Sequence, residues 1–177
     1  MVRKDIKGRI RVYFFVNPNS KLRVREIEKE LNVPLPSVIR YVKELNNEGI
    51  LKIIKTGNVV FYSADRSSQK YTLEKKLFNI RSLYSAGLIE YLKIELSNPT
   101  IIVFGSYSKG EDIESSDIDL YIETPSKIEI DLGKFEKLLK RKIEIFRYKN
   151  IGNVRNVHLA NNIINGFNLN GFVEVFR

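Results

Sequence analysis

The apolar positions along the chain change period repeatedly, and each change predicts a different kind of element. Ile10, Tyr13 and Phe14 open a helical stripe that Asn17-Pro18-Asn19-Ser20 stops, and Val24 to Leu31 repeats the pattern with Ile27 and Leu31 inward. After a turn at Asn32-Val33-Pro34-Leu35-Pro36, Val38, Ile39, Val42 and Leu45 recur at helical spacing until Gly49 ends the run. The other side of this third helix carries Ser37, Arg40, Tyr41 and Lys43. Ile50 to Lys55 and Val59 to Ser63 then read as two strands of a hairpin around Thr56-Gly57-Asn58. Asp65 to Gln69 is a polar break and the best boundary. Beyond it Tyr71, Leu73, Leu77, Ile80 and Leu83 to Ile94 return to a helical period that Ser97-Asn98-Pro99 closes.

The last part of the chain is patterned for strands. Thr100-Ile101-Ile102-Val103-Phe104 is a β-branched apolar run that predicts a buried strand ending at Gly105. In Ser116-Asp117-Ile118-Asp119-Leu120, a period of two puts Asp117 and Asp119 on one strand face and Ile118, Leu120 and Ile122 on the other. Residues 132–141 predict a helix with Leu132, Phe135, Leu138 and Leu139 on one side and Lys134, Lys137, Lys140 and Arg141 outside. Ile143-Glu144-Ile145-Phe146 follows as a strand whose Glu144 faces away from the two isoleucines. A helix over Val154 to Ile164, capped by Asn165-Gly166, and a last strand Phe172 to Phe176 complete the reading. The fold class expected is α+β, with a first domain at 1–65, connecting helices at 66–97 and a small domain with a mixed sheet flanked by helices at 98–177.

Composition and charge sharpen this division. The net charge is +9 over 177 residues, and it is not spread evenly. Residues 1–65 hold 13 Lys and Arg against 7 Asp and Glu, 66–97 hold 6 against 3, and 98–177 hold 11 against 11. A basic front half and a neutral back half suggest that the first meets a polyanion and the second does chemistry. There is no cysteine, which excludes disulfides and thiolate metal sites and fits a reducing cytoplasm. Met1 to Arg11 is dense in charge and unlike a signal peptide, and no apolar run is long enough to span a bilayer, so no membrane partner is expected. The single histidine, His158, has no second ligand type near it and reads as a surface or packing residue.

The candidate chemistry lies at the end of the first buried strand. Gly105 lets a backbone approach a ligand with no Cβ in the way, and Ser106 adds a hydroxyl donor where the following N–H groups are unpaired, a turn suited to holding phosphate. Asp117 and Asp119 repel one another, and a divalent cation relieves that repulsion. Gly105-Ser106-Tyr107-Ser108-Lys109-Gly110 followed by Asp117-x-Asp119 resembles the minimal nucleotidyltransferase domain of the DNA polymerase β superfamily, with Ser108 and Lys109 in place of the usual Ala and Arg. The resemblance implies that Gly105, Ser106 and Lys109 hold the β and γ phosphates of ATP or another nucleoside triphosphate. It also implies a third carboxylate on a neighbouring strand, for which Glu144 is the candidate and Glu129 and Asp131 are rivals, Asp131 reading more easily as a helix cap. Asp117, Asp119 and Glu144 would then hold two Mg²⁺ ions.

The front half resembles a winged helix-turn-helix domain of the ArsR-like kind, on the three helices, the hairpin and the phrase Leu45 to Leu51. That resemblance implies that Ser37, Arg40, Tyr41 and Lys43 approach duplex DNA from the third helix while Lys52 and Lys55 sit on the wing, and that the chain works as a homodimer. The function expected is transfer of a nucleoside monophosphate, AMP from ATP being the leading case, to a hydroxyl acceptor. The acceptor could be a protein, with this chain as the antitoxin partner of a toxin-like protein. The alternative is a transcription regulator whose nucleotidyltransferase fold only binds nucleotide or a partner.

Overall fold

The computed structural model describes residues 5–175, which divide into two compact units with the boundary between Lys75 and Lys76. The first is built from α1 (Ile6–Val16), β1 (Lys21–Leu22), α2 (Val24–Leu31), α3 (Leu35–Asn47), β2 (Leu51–Thr56) and β3 (Val59–Ala64). Its three strands form an antiparallel sheet in the order β1-β3-β2. Ile10, Phe14, Ile27, Val38, Val42 and Leu45 are all fully buried, so the expected stripes do meet in one core. Tyr71 closes it, its hydroxyl donating to the Phe14 carbonyl at 3.1 Å.

Several details depart from expectation. The third helix begins at Leu35, inside the proposed turn: Pro36 falls in the first turn, where its missing N–H is no loss, and Asn32 in the left-handed region ends α2. Ile39 lies exposed, off the buried stripe. The hairpin is tighter than expected, Thr56 pairing with Val59 across Gly57-Asn58, with Gly57 at φ +58°. The two-residue strand β1, which pairs Lys21 with Ser63, is too short to carry a periodic signal.

The helix α4 (Gln69–Ser85) begins in the first unit and ends in the second. There follow α5 (Leu88–Glu95), β4 (Thr100–Phe104), α6 (Gly105–Lys109), β5 (Ile118–Glu123), α7 (Gly133–Leu139), β6 (Ile143–Tyr148), a 3-10 turn (Ile151–Asn153), α8 (Val157–Ile164) and β7 (Phe167–Asn170). The sheet runs β6-β5-β4-β7 and is mixed, β5 and β6 being parallel and the other pairs antiparallel. Alternation feeds two cores. Ile101, Val103, Ile118, Leu120 and Ile122 pack with Leu83, Leu88, Leu92 and Phe135, while Ile102, Phe104 and Tyr121 pack with Ile151, Val154 and Ile163.

Here too some expectations fail. Leu138 points outward, two-thirds exposed, while Arg141, expected outside, is buried. The last strand lies at Phe167–Asn170, earlier than the proposed 172–176; residues 172–175 are not in a strand, and Phe176 is outside the described residues. Asn170 seals the β7 end with its own side chain, donating to the Pro99 carbonyl at 2.6 Å. His158 is exposed. Among the described residues no helix is long and apolar enough to cross a membrane.

Candidate active site

The site is assembled where β4 ends and β5 and β6 begin. β4 delivers the chain to Gly105, which takes φ +71° and starts the single turn of α6. The stretch read as a phosphate-holding turn is therefore a five-residue helix, which Gly110 ends at φ +76°. Ser106 is half-buried and Lys109 exposed on this turn, and Ser108 braces it by donating to the Gly105 carbonyl at 2.9 Å.

Asp119 is the centre of the arrangement. It pairs with Phe104 across the antiparallel β4 and with Glu144 across the parallel β6. Glu144 thus stands directly beside Asp119 in register, with its side chain exposed. Asp117 lies one residue before β5, so it belongs to the entering loop, not to the strand proper, and it too is exposed. That loop is held by reciprocal bonds between Ile113 and Ser116: the Ile113 N–H donates to Ser116 Oγ at 2.9 Å and the Ser116 N–H to the Ile113 carbonyl at 3.0 Å.

Burial and like charge act together on Asp119. Partial burial, then the charge of Glu144, then that of Asp117 push the Asp119 carboxyl up to about 6. Of the rival acids, Glu129 is exposed, and Asp131 accepts from the Gly133 N–H at 2.9 Å, tying down the start of α7 as a cap does. Among the described residues no three His, Cys, Asp or Glu side chains are drawn together tightly enough to hold a metal ion by themselves.

Residues 86–169 match the family model described as Nucleotidyltransferase domain. This stretch runs from before α5 into β7 and contains every acid just described. The match supports a nucleotidyltransferase domain here, with nucleotidyl transfer in general as the chemistry and a nucleotide as substrate; the family typically uses a nucleoside triphosphate and a divalent metal. Comparison with curated proteins and with solved structures gives no match for the chain.

Behind the cluster of acids runs a buried polar network that the periodicity did not reveal. Asn79 of α4 donates to the Tyr107 carbonyl at 2.8 Å and to Asp112 Oδ1 at 2.7 Å, and Arg141 Nη2 lies 3.4 Å from Asp112 Oδ2. Asp112 and Arg141 are almost wholly buried. Burial and the neighbouring Asp112 also push the Tyr107 phenol well above the ordinary tyrosine range, so it stays neutral. The one available signal was Asp112 itself, a carboxylate between the Gly105–Gly110 motif and Asp117.

In the first unit, Arg40 and Lys43 are exposed on α3, Ser37 and Tyr41 are half-buried there, and Lys52 and Lys55 are exposed on β2. Arg40 stacks on the Tyr41 ring with its guanidinium carbon 4.2 Å from the centroid, donates to the Tyr41 hydroxyl, and sits 3.6 Å from Glu44.

Proposed function

We propose that the chain is a Mg²⁺-dependent nucleotidyltransferase that moves a nucleoside monophosphate, AMP from ATP in the leading case, to a hydroxyl acceptor. The observation that carries this reading is the register of Asp119 with Glu144, beside a Gly105 whose missing side chain leaves room for the Asp119 carboxylate. The donors are all oxygens, the hard ligands Mg²⁺ prefers, and Mg²⁺ is commonly held by one or two carboxylates together with substrate phosphates. A site that does not gather three acids on its own is compatible with that division, the triphosphate supplying the remaining oxygens.

In this reading Asp117, Asp119 and Glu144 hold the cations, and Gly105, Ser106 and Lys109 hold the β and γ phosphates. Two bound Mg²⁺ ions would supply charge neutralisation at the attacking and leaving oxygens. The acceptor oxygen forms a bond to the α-phosphorus, the bond from that phosphorus to the bridging oxygen breaks, and pyrophosphate leaves with the electron pair. The hydroxyl proton passes to a carboxylate of the site. The chain's contribution is to fix these groups in line.

The first unit adds a DNA-binding function. Three helices followed by a hairpin, with Arg40 and Lys43 exposed on the third helix and Lys52 and Lys55 on the hairpin, suit a winged helix laid on duplex DNA, with Ser37 and Tyr41 at the edge of the contact. The connecting helix α4 is where the homodimer would form, Leu77 lying more than half exposed on it. An antitoxin role follows if the acceptor is a protein. Incubating the purified chain with each labelled nucleoside triphosphate, Mg²⁺ and cell extract tests the enzyme reading, and label transferred to any acceptor supports it. The second reading, a regulator with an inactive fold, is favoured by the exposure of Glu144; it takes over if the protein neither transfers label nor binds nucleotide with Mg²⁺.

A further inference from the structure

Asn79, on α4, is 1% exposed and uses its one amide nitrogen twice, on the Tyr107 carbonyl at 2.8 Å and on Asp112 Oδ1 at 2.7 Å. Each acceptor leads to a candidate ligand. Tyr107 follows Ser106 in α6, and Asp112 opens the stretch to Asp117, which the two bonds between Ile113 and Ser116 hold in a turn. The other oxygen of Asp112 faces Arg141 Nη2 at 3.4 Å, three residues before Glu144. Nearby, the Ile118 N–H donates to the Lys142 carbonyl at 2.8 Å, which ties the entry of β5 to that of β6. Stability alone does not require polar groups here. Apolar side chains of similar volume often serve as well as a buried charged pair, whereas a buried polar network is satisfied only when its members keep their places. An amide that donates to two acceptors at once fixes the distance between them.

We propose that Asn79 is a positioning residue for the candidate active site. Through Tyr107 and Asp112 it sets the spacing between the turn that carries Ser106 and Lys109 and the loop that carries Asp117, and Arg141 extends that spacing to the strand of Glu144. The proposal rests on the nucleotidyltransferase reading. A Mg²⁺ ion shared between carboxylates and substrate phosphates demands near-octahedral oxygens at about 2.0–2.1 Å. An ångström of drift between α6 and the acids would leave each set of oxygens intact and still separate the cation from the nucleotide. Asn79 therefore acts without touching either.

The test measures the affinity of the full chain for a non-hydrolysable ATP analogue with and without Mg²⁺, in the wild type, Asn79→Leu and Leu92→Ala. Leucine is close to asparagine in size and donates nothing. Leu92, fully buried in α5, gives a control whose cavity should lower the melting temperature at least as far. Mg²⁺ should tighten the analogue equally on the wild type and on Leu92→Ala. In Asn79→Leu the metal-free affinity should be unchanged and the tightening by Mg²⁺ about tenfold smaller, because the coupling between the two ligands is what the spacing controls. Undiminished tightening in Asn79→Leu would overturn the proposal, and so would an equal loss in Leu92→Ala, which would show that lowered stability suffices. Loss of the analogue alike with and without Mg²⁺ would overturn it too, marking Asn79 as a support of α6 alone. Asp112→Asn keeps an acceptor for the Asn79 amide and should lose about threefold of the tightening. It decides the matter if Asn79→Leu does not fold, undiminished tightening again overturning the proposal. If Mg²⁺ fails to tighten the analogue even on the wild type, the transferase reading falls and the positioning role with it; a loss confined to the variants leaves that reading standing.

Discussion

A side chain on Gly105 would place its Cβ 2.1 Å from Oδ2 of Asp119, closer than any two such atoms can sit. The first residue of α6 and the central acid of β5 are thus fitted to one another, and the antiparallel pairing of Phe104 with Asp119 is what brings them together. Gly105 also occupies φ +71°, a region in which an L side chain is strained. Gly105→Ala should therefore cost about 1–2 kcal/mol in stability from backbone strain alone. It should lower transfer much more, by about 100-fold, because displacing Asp119 by an ångström misplaces the reacting groups. Urea unfolding and turnover, measured side by side, check that the second loss exceeds what the first explains.

The crowding of Asp119 with Glu144 and Asp117 has a signature in pH. Its folded value, about 6, stands above the ordinary aspartate value of 3.8, so the folded state binds the proton more readily than the unfolded state between those limits. Stability from this group is therefore greatest at low pH, falls as pH rises through the window from about 4 to about 6, and stays low above it. Asp119→Asn should remove that dependence and make the metal-free protein more stable at neutral pH, by about 1 kcal/mol once solvent screening of a half-exposed acid is allowed for. Protons and cations compete for the same oxygens, so nucleotide binding that depends on Mg²⁺ should weaken below about pH 6. Urea midpoints for both proteins across pH 4 to 8, buffers without divalent cations, give the first result; nucleotide titrations over the same range give the second.

What could be read in the sequence follows from what local pattern encodes. The alternation in Ile118 to Ile122 fixed which face the Asp119 carboxylate takes, and Ile143-Glu144-Ile145 did the same for Glu144; both readings depend only on the period of a strand. The register of Asp119 with Glu144 is a long-range fact and had to come from the fold. Arg141 was misplaced because a basic residue on the polar side of a helical stripe reads as solvated, whereas Asp112, 29 positions away, draws it into the interior. Likewise Leu138 and Ile39 have core chemistry but point away from their cores. The strand β7 was missed because Phe167-Asn168-Leu169-Asn170 has amides at alternate positions, and it pairs with β4 through its backbone with a shift of register between Ile101 and Ile102.

Asp112 joins Asn79, Arg141 and, through the Asn79 amide, the Tyr107 carbonyl in the short helix that carries Ser106. Asp112→Ala should cost about 3 kcal/mol, since a guanidinium and an amide lose a buried acceptor at once. Asp112→Asn should recover part of this by keeping an acceptor for the Asn79 amide. Chemical denaturation of the two variants distinguishes them; equal stability of Asp112→Ala and wild type would show that the network does not brace the site.

For the first unit, +6 of the net charge lies in residues 1–65, and Arg40 and Lys43 are exposed on α3. Duplex binding should fall steeply with salt, and Lys43→Ala should reduce the slope of log affinity against log salt by about 1. Arg40→Ala should weaken binding by about 1–3 kcal/mol if the guanidinium leaves Tyr41 to meet a guanine edge. Mobility-shift titrations at several salt concentrations separate the two effects, and a slope indifferent to Lys43 would remove that side chain from the phosphate contact.

Asp117→Asn with Asp119→Asn should abolish Mg²⁺-dependent transfer while leaving the fold and any duplex binding intact. A triphosphate brings about four negative charges to a place already occupied by acids, and it can sit there in reactive geometry only with divalent cations between. Removing both carboxylates removes the cation ligands but also the repulsion, so nucleotide should still bind weakly through Gly105, Ser106 and Lys109. Binding and turnover therefore part company in this variant. Glu144→Gln should fall between it and the wild type, because Glu144 stands beside Asp119 in register yet is the more exposed of the pair. Single-turnover transfer and nucleotide titration with and without Mg²⁺ measure both quantities. Wild-type turnover by Glu144→Gln would make Glu144 an ordinary surface residue of β6, and turnover surviving in the double variant would move the chemistry away from β5 altogether.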